Sequence, residues 1–259
     1  MQDRYAGDIG DFGKFGLLKE INKQGLSVGV NWYKTYPLDF EKNKDGLYKQ
    51  NDGKYTNFDD EIKACDPCLA KELLKVSSLG EKRSLQALKE AGLLPNAFFY
   101  NGEVPVDNRV QWHRNAVEFF RAQCVDLVFL DPDNGLLVKS VSKRSKRSVK
   151  YAFYEEALDY IEQGMSVLIY NHRCRKPELR YFKDIEDKLH DEIEKRVLRN
   201  DIEILEITFS RYTIRDYIAV TACSEHEKKI RTAFDDMLRG EWGKTRMCRK
   251  PLTDICCSN

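Results

Sequence analysis

Apolar and polar residues follow one another along the chain in blocks that predict strands and helices in turn. Short apolar runs that end in Gly, Pro or Asn are typical of buried strands, and apolar residues three or four positions apart are typical of helices. The runs predict strands at 26–33, 97–100, 125–130, 165–170, 202–209 and 217–221. Helices are predicted from Asp8 or Asp11 to about 23, and at 61–93, 107–122, 154–163, 177–199 and 228–239.

This alternation predicts the fold class and the domain organisation. Strands that alternate with helices favour an α/β fold with a doubly wound, mainly parallel sheet covered by helices. The last two strands flank a polar turn, so they suit an antiparallel pair. Residues 1–259 are predicted to form a single domain, with a helical insertion at about 40–95 that opens in a polar, turn-rich segment.

The stretch from Val125 to Leu136 joins a buried strand to an abrupt polar turn. Pro132 cannot donate to a sheet ladder, and Asn134-Gly135 is a strong turn signal. Open α/β sheets bind ligands at the carboxyl ends of their strands, so Asp131, Asp133 and Asn134 are candidate functional residues. The alternative is that an Asp here caps the next helix.

Composition limits the classes of partner. Charged residues make up 33% of the chain, but the formal net charge is only +1, so a nucleic-acid interface has to rest on a local cluster. Such a cluster follows the polar turn, where residues 139–150 hold six basic residues and no acidic one. We expect Lys143, Arg144, Lys146 and Arg147 to contact phosphates, unless the run is simply a solvated loop.

The chain is expected to be cytoplasmic and to have no membrane partner. No apolar run approaches the ~20 residues that a membrane helix needs, and the first residues lack a signal-peptide core. Eight scattered cysteines are then expected to be reduced thiols. Cys65 and Cys68 form a C-x-x-C pair, but there is no second pair for zinc and no thioredoxin-like strand before it.

A glycine-rich segment near the start is a second candidate site. Residues 7–16 contain four glycines, which let the backbone approach a ligand closely, and Lys14 adds a positive charge. The alternative is a glycine-rich turn that leads into a helix. His172, directly after a predicted strand, is a candidate base or ligand, or else a hydrogen-bonded surface histidine.

The motifs together resemble a known family over roughly residues 4–222. This is the bacterial family that methylates an adenine amino group in large-subunit ribosomal RNA with S-adenosylmethionine. Its Ala-Gly-Asn-x-x-Asp-x-x-Lys signature matches the residues from Ala6 to Lys14, and its Asp-Pro-Pro-Tyr matches Asp131-Pro132-Asp133-Asn134. Its Asp-Gly strand tip matches Asn101-Gly102. The chain also resembles a group of uncharacterised bacterial proteins with a Phe-Leu-Asp-Pro-Asp-Asn-Gly motif.

The resemblance implies a Rossmann-like methyltransferase fold, a cofactor and roles for individual residues. S-adenosylmethionine is the implied cofactor, and RNA or DNA is the implied partner. Asp131 would accept a hydrogen bond from the target amine with help from the Pro132 carbonyl, while Asp133 and Asn134 would shape the pocket. The residues implied to border the cofactor are Tyr5, Gly7, Asp8, Lys14, Asn31, Asn101 and Gly102.

Three departures from the family leave other functions open. Asn31-Trp32-Tyr33 stands where the family has a glycine-rich loop, Asn101 replaces an Asp, and Asn134 replaces the Tyr that stacks on the base. A binding module that has lost the reaction is therefore one alternative. The other is a nuclease or phosphoryl-transfer enzyme, in which strand-tip carboxylates would hold Mg²⁺.

Overall fold

Seven strands form one mixed sheet in the part of the chain that the structure describes. The structure is a computed structural model, which describes residues 1–36, 38, 55–196 and 201–252. The helices are α1 (Ile9–Lys23), α2 (Asp60–Cys65), α3 (Pro67–Ser77), α4 (Leu85–Glu90), α5 (Arg109–Ala122), α6 (Tyr154–Glu162), α7 (Glu178–Arg196), α8 (Ser224–Arg239) and α9 (Glu241–Lys244). The strands are β1 (Val28–Asn31), β2 (Phe98–Tyr100), β3 (Leu127–Leu130), β4 (Gly135–Leu136), β5 (Tyr151–Ala152), β6 (Ser166–His172), β7 (Ile204–Arg211), β8 (Thr213–Val220) and β9 (Cys248–Arg249).

The strand order of the sheet is β2-β1-β3-β6-β8-β7-β9. The first four strands are mutually parallel, whereas β8 runs antiparallel to both β6 and β7. The order reverses at β1, because β2 pairs on one side of it and β3 on the other. This arrangement confirms an α/β fold with a mostly parallel core.

Both faces of the sheet are covered, which explains why the central strand β3 is apolar throughout. Along β3, Phe129 packs into the core formed with α1, α3 and α8, while Val128 packs into the core formed with α5, α6 and α7. Side chains of successive strand residues point to opposite faces, so each central strand supplies both cores.

Helix α1 lies close to the sheet because of its glycines. A Cβ at Gly13 would sit 2.9 Å from the Tyr217 hydroxyl and 3.1 Å from the Phe209 ring. The helix begins with Asp8 as its N-cap, whose carboxylate accepts hydrogen bonds from the backbone N–H groups of Gly10 and Asp11. Helix α1 is joined to the carboxyl end of β3 by the Lys14–Asp131 ion pair.

The sequence predicted most of the longer elements to within a few residues, but it missed α9, β9 and the short pair of β4 and β5. The polar turn predicted between the last two strands is wrong: β7 and β8 continue through it, and only Tyr212 lies between them. Arg215 and Asp216 are polar but buried. Their burial is tolerated because Arg215 donates to the Tyr170 hydroxyl and Asp216 accepts from Arg173. The antiparallel pairing of these two strands is confirmed.

The predicted insertion lies partly outside the described residues, which omit 39–54. Its described part holds the three helices α2, α3 and α4. Among the helices of the described ranges, none has the length and apolar character to cross a membrane.

Candidate functional site

A cavity of about 490 Å³ opens at the carboxyl ends of β3 and β6, beside the first turn of α1. All four residues from Asp131 to Asn134 line it. It lies at the carboxyl-end edge of the parallel strands, where open α/β sheets bind ligands, next to the gap between β1 and β3 where the strand order reverses. Its walls carry both signs of charge and several rings; the remaining lining residues are Met1, Arg4, Tyr5, Asp8, Gly10, Lys14, Tyr55, Lys150, Tyr170, His172, Thr213 and Arg215.

Lys14 and Asp131 form a buried ion pair at the floor of the cavity. The Lys14 Nζ lies 2.9 and 3.0 Å from the two carboxylate oxygens of Asp131, and 3.2 Å from Asp11 Oδ1. Burial alone would lower the pKa of Lys14, but the carboxylates of Asp131 and Asp11 raise it well above its usual value. Burial raises the pKa of Asp131, although the charge of Lys14 opposes the rise. The lysine therefore stays charged and orients the carboxylate.

Asp11 links this pair to the turn that precedes α1. Its Oδ2 accepts a hydrogen bond of 2.7 Å from the Gly7 N–H. Burial, aided by the neighbouring carboxylates of Asp8 and Asp131, raises the pKa of Asp11 to about 7 against the opposing charge of Lys14. Burial thus favours the protonated form of Asp11, and the charge of Lys14 favours the ionised form.

Asp133 is bound on the other side of the same turn. Its carboxylate lies 3.0 Å from the amino group of Met1 and 3.5 Å from Lys150 Nζ, and it accepts a hydrogen bond from the Gln2 side chain. Burial would raise the pKa of Asp133, but the two positive charges and this hydrogen bond hold it below its usual value. Asp133 is therefore ionised and fixed at the cavity wall.

Tyr170 and His172 at the carboxyl end of β6 form a hydrogen-bonded chain with Arg215 of β8. The Tyr170 hydroxyl accepts a bond of 3.0 Å from Arg215 Nε and lies 3.0 Å from His172 Nε2. Desolvation of the ring, together with the charges of Arg215 and Lys14, lowers the pKa of His172 to about 4, although the residue as a whole is exposed. His172 is thus neutral at pH 7, and it faces the cavity as a hydrogen-bonding group.

The turn after Asp133 is locked by a close backbone approach. Gly135 has φ +98, and its Cα faces Asn171, whose Oδ1 accepts a hydrogen bond of 2.6 Å from Leu136 N. A Cβ at Gly135 would overlap that amide oxygen. Only glycine fits both the conformation and the space.

Gly135→Ala is therefore expected to destabilise the fold by about 1–3 kcal/mol more than Gly164→Ala does. Gly164 is a matched control, because it also has positive φ (+80), yet a Cβ there would meet no atom of the described residues within 4 Å. Urea denaturation gives the free energy of unfolding of each variant. The difference between the two losses measures the cost of the clash with Asn171, because the strain from positive φ is common to both. Equal losses in both variants would show that this contact contributes nothing.

Arg109 holds the segment next to the cavity-lining residue Lys150, and it was not identified from the sequence. It forms a buried pair with Glu156 at 2.6 and 2.9 Å and donates to the carbonyls of Ser148 and Tyr151. These bonds fix the segment that brings Lys150 to Asp133. No local motif marks Arg109, since its partners lie about 40 residues away along the chain.

The structure gathers some of the predicted site residues and separates others. Tyr5, Asp8 and Lys14 line the cavity together with the Asp131–Asn134 turn. Gly7 packs instead against α3, where a Cβ would lie 2.7 Å from the Leu73 carbonyl oxygen.

The predicted cofactor residues at the β1 and β2 tips lie away from the cavity. Asn31 donates to the Tyr160 hydroxyl, and Gly102 accepts a bond from the Trp112 indole. Asn101 is exposed. Trp32 and Tyr33 are buried in the two cores, where Trp32 stacks on Phe99 and Tyr33 meets Trp112 edge-on.

The basic run divides into two parts. Lys150 lies in the cavity wall, whereas Lys143, Arg144, Lys146 and Arg147 are exposed. Lys143 pairs with Glu155 of α6.

Over the described ranges, no group of three or more His, Cys, Asp or Glu side chains is placed to hold a metal ion. The carboxylates that converge on the cavity floor are each held by an ammonium group or a backbone N–H. Comparisons with protein-family models, with curated proteins and with solved structures found no match to this chain.

Proposed function

We propose that this chain transfers a methyl group from S-adenosylmethionine to an amino group of a nucleic acid, with the acceptor held at the Asp131–Asn134 turn. The observation that carries the proposal is the place of this turn. It lines a cavity at the carboxyl end of β3, beside the reversal of strand order. A parallel core followed by a reversed strand also agrees with the Rossmann-like methyltransferase type of sheet.

The chemistry of the cavity fits the proposed cofactor. S-adenosylmethionine presents an ammonium, a carboxylate, ribose hydroxyls and an adenine ring. Asp8 supplies a carboxylate acceptor, Arg215 a cation and Tyr5 an aromatic face, all within this one cavity. Its volume of about 490 Å³ lies in the range of small-ligand sites. The cofactor would bind here rather than beside Asn31 and Asn101, and when bound it supplies the methyl group.

The protein's own contribution is to position the acceptor. The Asp131 carboxylate would accept a hydrogen bond from one N–H of the target amine, and the Pro132 carbonyl would accept one from the other N–H. These two bonds aim the nitrogen lone pair at the methyl group. Lys14 keeps the Asp131 carboxylate ionised and fixed from below. A preorganised acceptor in a buried site is worth far more than one in water, because no solvent has to reorganise.

Thermal stability in the presence of S-adenosylhomocysteine tests cofactor binding directly. At 100 times its Kd, a ligand that binds only the folded state adds about 2.7 kcal/mol to stability. We expect a dose-dependent rise in Tm with S-adenosylhomocysteine and none with adenosine plus methionine. Transfer of tritiated methyl to RNA then tests the reaction. No shift and no transfer would overturn the proposal.

One observation favours a second candidate, a binding module without methyl transfer. Trp32 and Tyr33 fill both sides of the β1 tip with buried rings, so the backbone there offers no glycine-rich approach to a ligand. On this alternative the protein binds nucleic acid but does not respond to the cofactor. The two measurements above separate the candidates.

A further inference from the structure

Two tyrosines stack on each other at the mouth of the cavity. The ring centroids of Tyr55 and Tyr212 are 5.2 Å apart, and the rings are inclined by only 14°. Their exposed fractions are 50% and 53%. Tyr55 is also a lining residue of the cavity. One of its faces is thus backed by Tyr212, and its side chain borders the open space.

The pair is held in place by elements from three parts of the chain. Tyr212 forms the tip between β7 and β8 with φ +59, a conformation that is rare for aromatic residues. Next to it, Arg211 pairs with Asp59 and, at 3.1 Å, with Glu61 of α2. The Tyr55 carbonyl accepts a bond of 2.9 Å from Ile9 N at the start of α1. The strained tip and these bonds fix both rings at the rim.

The chemistry of the rim suits an unpaired nucleobase. Stacking on an aromatic ring is a general way to hold unpaired bases, and cations beside the ring hold the phosphates. Arg4 supplies a positive charge in the lining of the same cavity, to which the buried cations Lys150 and Arg215 also belong. The Asp131–Asn134 turn itself lacks an aromatic residue, because Asn134 stands at its fourth position.

We infer that Tyr55, backed by Tyr212, is the stacking platform for an unpaired base of a single-stranded nucleic acid entering the cavity. Tyr55 contacts the base, and Tyr212 is a positioning residue that holds the Tyr55 ring. The platform does the work that an aromatic residue in the turn would otherwise do. The identity of the acceptor rests on the proposed function, whereas the binding of an unpaired base rests on the rim alone.

The test is the affinity for a fluorescein-labelled oligoadenylate RNA of about 12 nucleotides, measured by fluorescence anisotropy without cofactor. Tyr55→Ala is expected to raise the Kd by about 5- to 150-fold, whereas Tyr55→Phe keeps the ring and the affinity. Tyr212→Asn removes the backing ring with a residue that tolerates positive φ, so we expect a smaller loss. Tyr36→Ala is the matched control, since Tyr36 is 52% exposed but does not line the cavity.

The outcomes separate this inference from the proposed function. Wild-type binding that is lost in Tyr55→Ala and retained in Tyr55→Phe supports the platform, whether or not methyl is transferred. Equal affinity of the wild type and Tyr55→Ala overturns the platform, as does preference for a duplex of the same length. Failure of the proposed function would show instead as an absent response to S-adenosylhomocysteine with oligonucleotide binding intact. Circular dichroism of each variant confirms that it is folded.

Discussion

Replacing Lys14 with Met is expected to lower the free energy of unfolding by about 3–5 kcal/mol, because it leaves buried carboxylates without a partner. The Lys14 ammonium lies 2.9 and 3.0 Å from the two carboxylate oxygens of Asp131, and both side chains are at most 5% exposed. Removing one partner of a buried pair costs more than the pair contributes, since the remaining charge stays desolvated. Urea denaturation measures the loss.

Lys23→Met is the matched control for this variant. Lys23 lies on the same helix and also pairs with an acid three residues earlier, but its side chain is 61% exposed. Exposed pairs of this kind contribute little, so this variant is expected to unfold almost like the wild type. Similar losses in both variants would mean that α1 is sensitive to the substitution itself and that the buried cluster has no special importance.

The loss in free energy of unfolding caused by Lys14→Met is also expected to grow as pH rises from about 5 to 8. Burial already raises the pKa of Asp131, and that of Asp11 to about 7, in the presence of Lys14. A carboxyl group whose pKa is higher in the folded state binds more protons there, so stability falls as pH rises through the window. Without the lysine charge both pKa values move further up. A deficit that stays constant with pH would contradict this account.

The fold was predictable where local pattern and burial agree. Leu127 to Leu130 is apolar because both faces of β3 are covered, and that run alone identifies a central strand. The pattern failed at Arg215 and Asp216, which are polar yet lie inside β8. Their burial depends on Tyr170 and Arg173, residues about 45 positions away. Such pairing leaves no periodic signal in the sequence.

The same difference between local pattern and pairing over long sequence distances explains which of the predicted site residues come together. The resemblance implied that Lys14 and Asp131 border one site, and the structure brings the two side chains within 2.9 Å of each other. Asn101 was placed with them by resemblance, but β2 is the edge strand in the described sheet and the space beside it is filled by rings. Trp112 and Tyr33, which fill it, come from different elements. Filling of this kind depends on tertiary packing and has no local motif.

The cavity combines features that oppose stability with features that favour binding. Three carboxylates, of Asp11, Asp131 and Asp133, lie almost fully buried around it, and their desolvation is offset by Lys14, by Lys150 and by the amino group of Met1. Groups with strongly shifted pKa values concentrate at functional sites, although ion-pair networks shift them too. A ligand that brings its own ammonium or carboxylate would exchange with these internal pairs. Binding should therefore depend on pH and on salt.

Asp131→Asn is expected to lower methyl transfer by roughly 10²- to 10³-fold, which is the usual cost of removing one preorganised polar group from an active site. Asn has nearly the same shape and still offers an oxygen to Lys14, so the fold should persist. Asp131→Ala is less informative, because it leaves Lys14 buried with Asp11 as its remaining carboxylate partner within 3.2 Å. Initial rates of tritiated methyl transfer to RNA measure the effect.

Asp126→Asn provides the comparison, since Asp126 lies at the opposite end of β3, where it bonds to Ser27 N. This variant should transfer methyl like the wild type. Under the proposed function, the thermal shift with S-adenosylhomocysteine should survive in Asp131→Asn, because Asp131 would act on the acceptor amine while Asp8 and Arg215 would remain to hold the cofactor. Full transfer by Asp131→Asn would remove Asp131 from the reaction. Loss of the shift together with transfer would instead assign this carboxylate to cofactor binding.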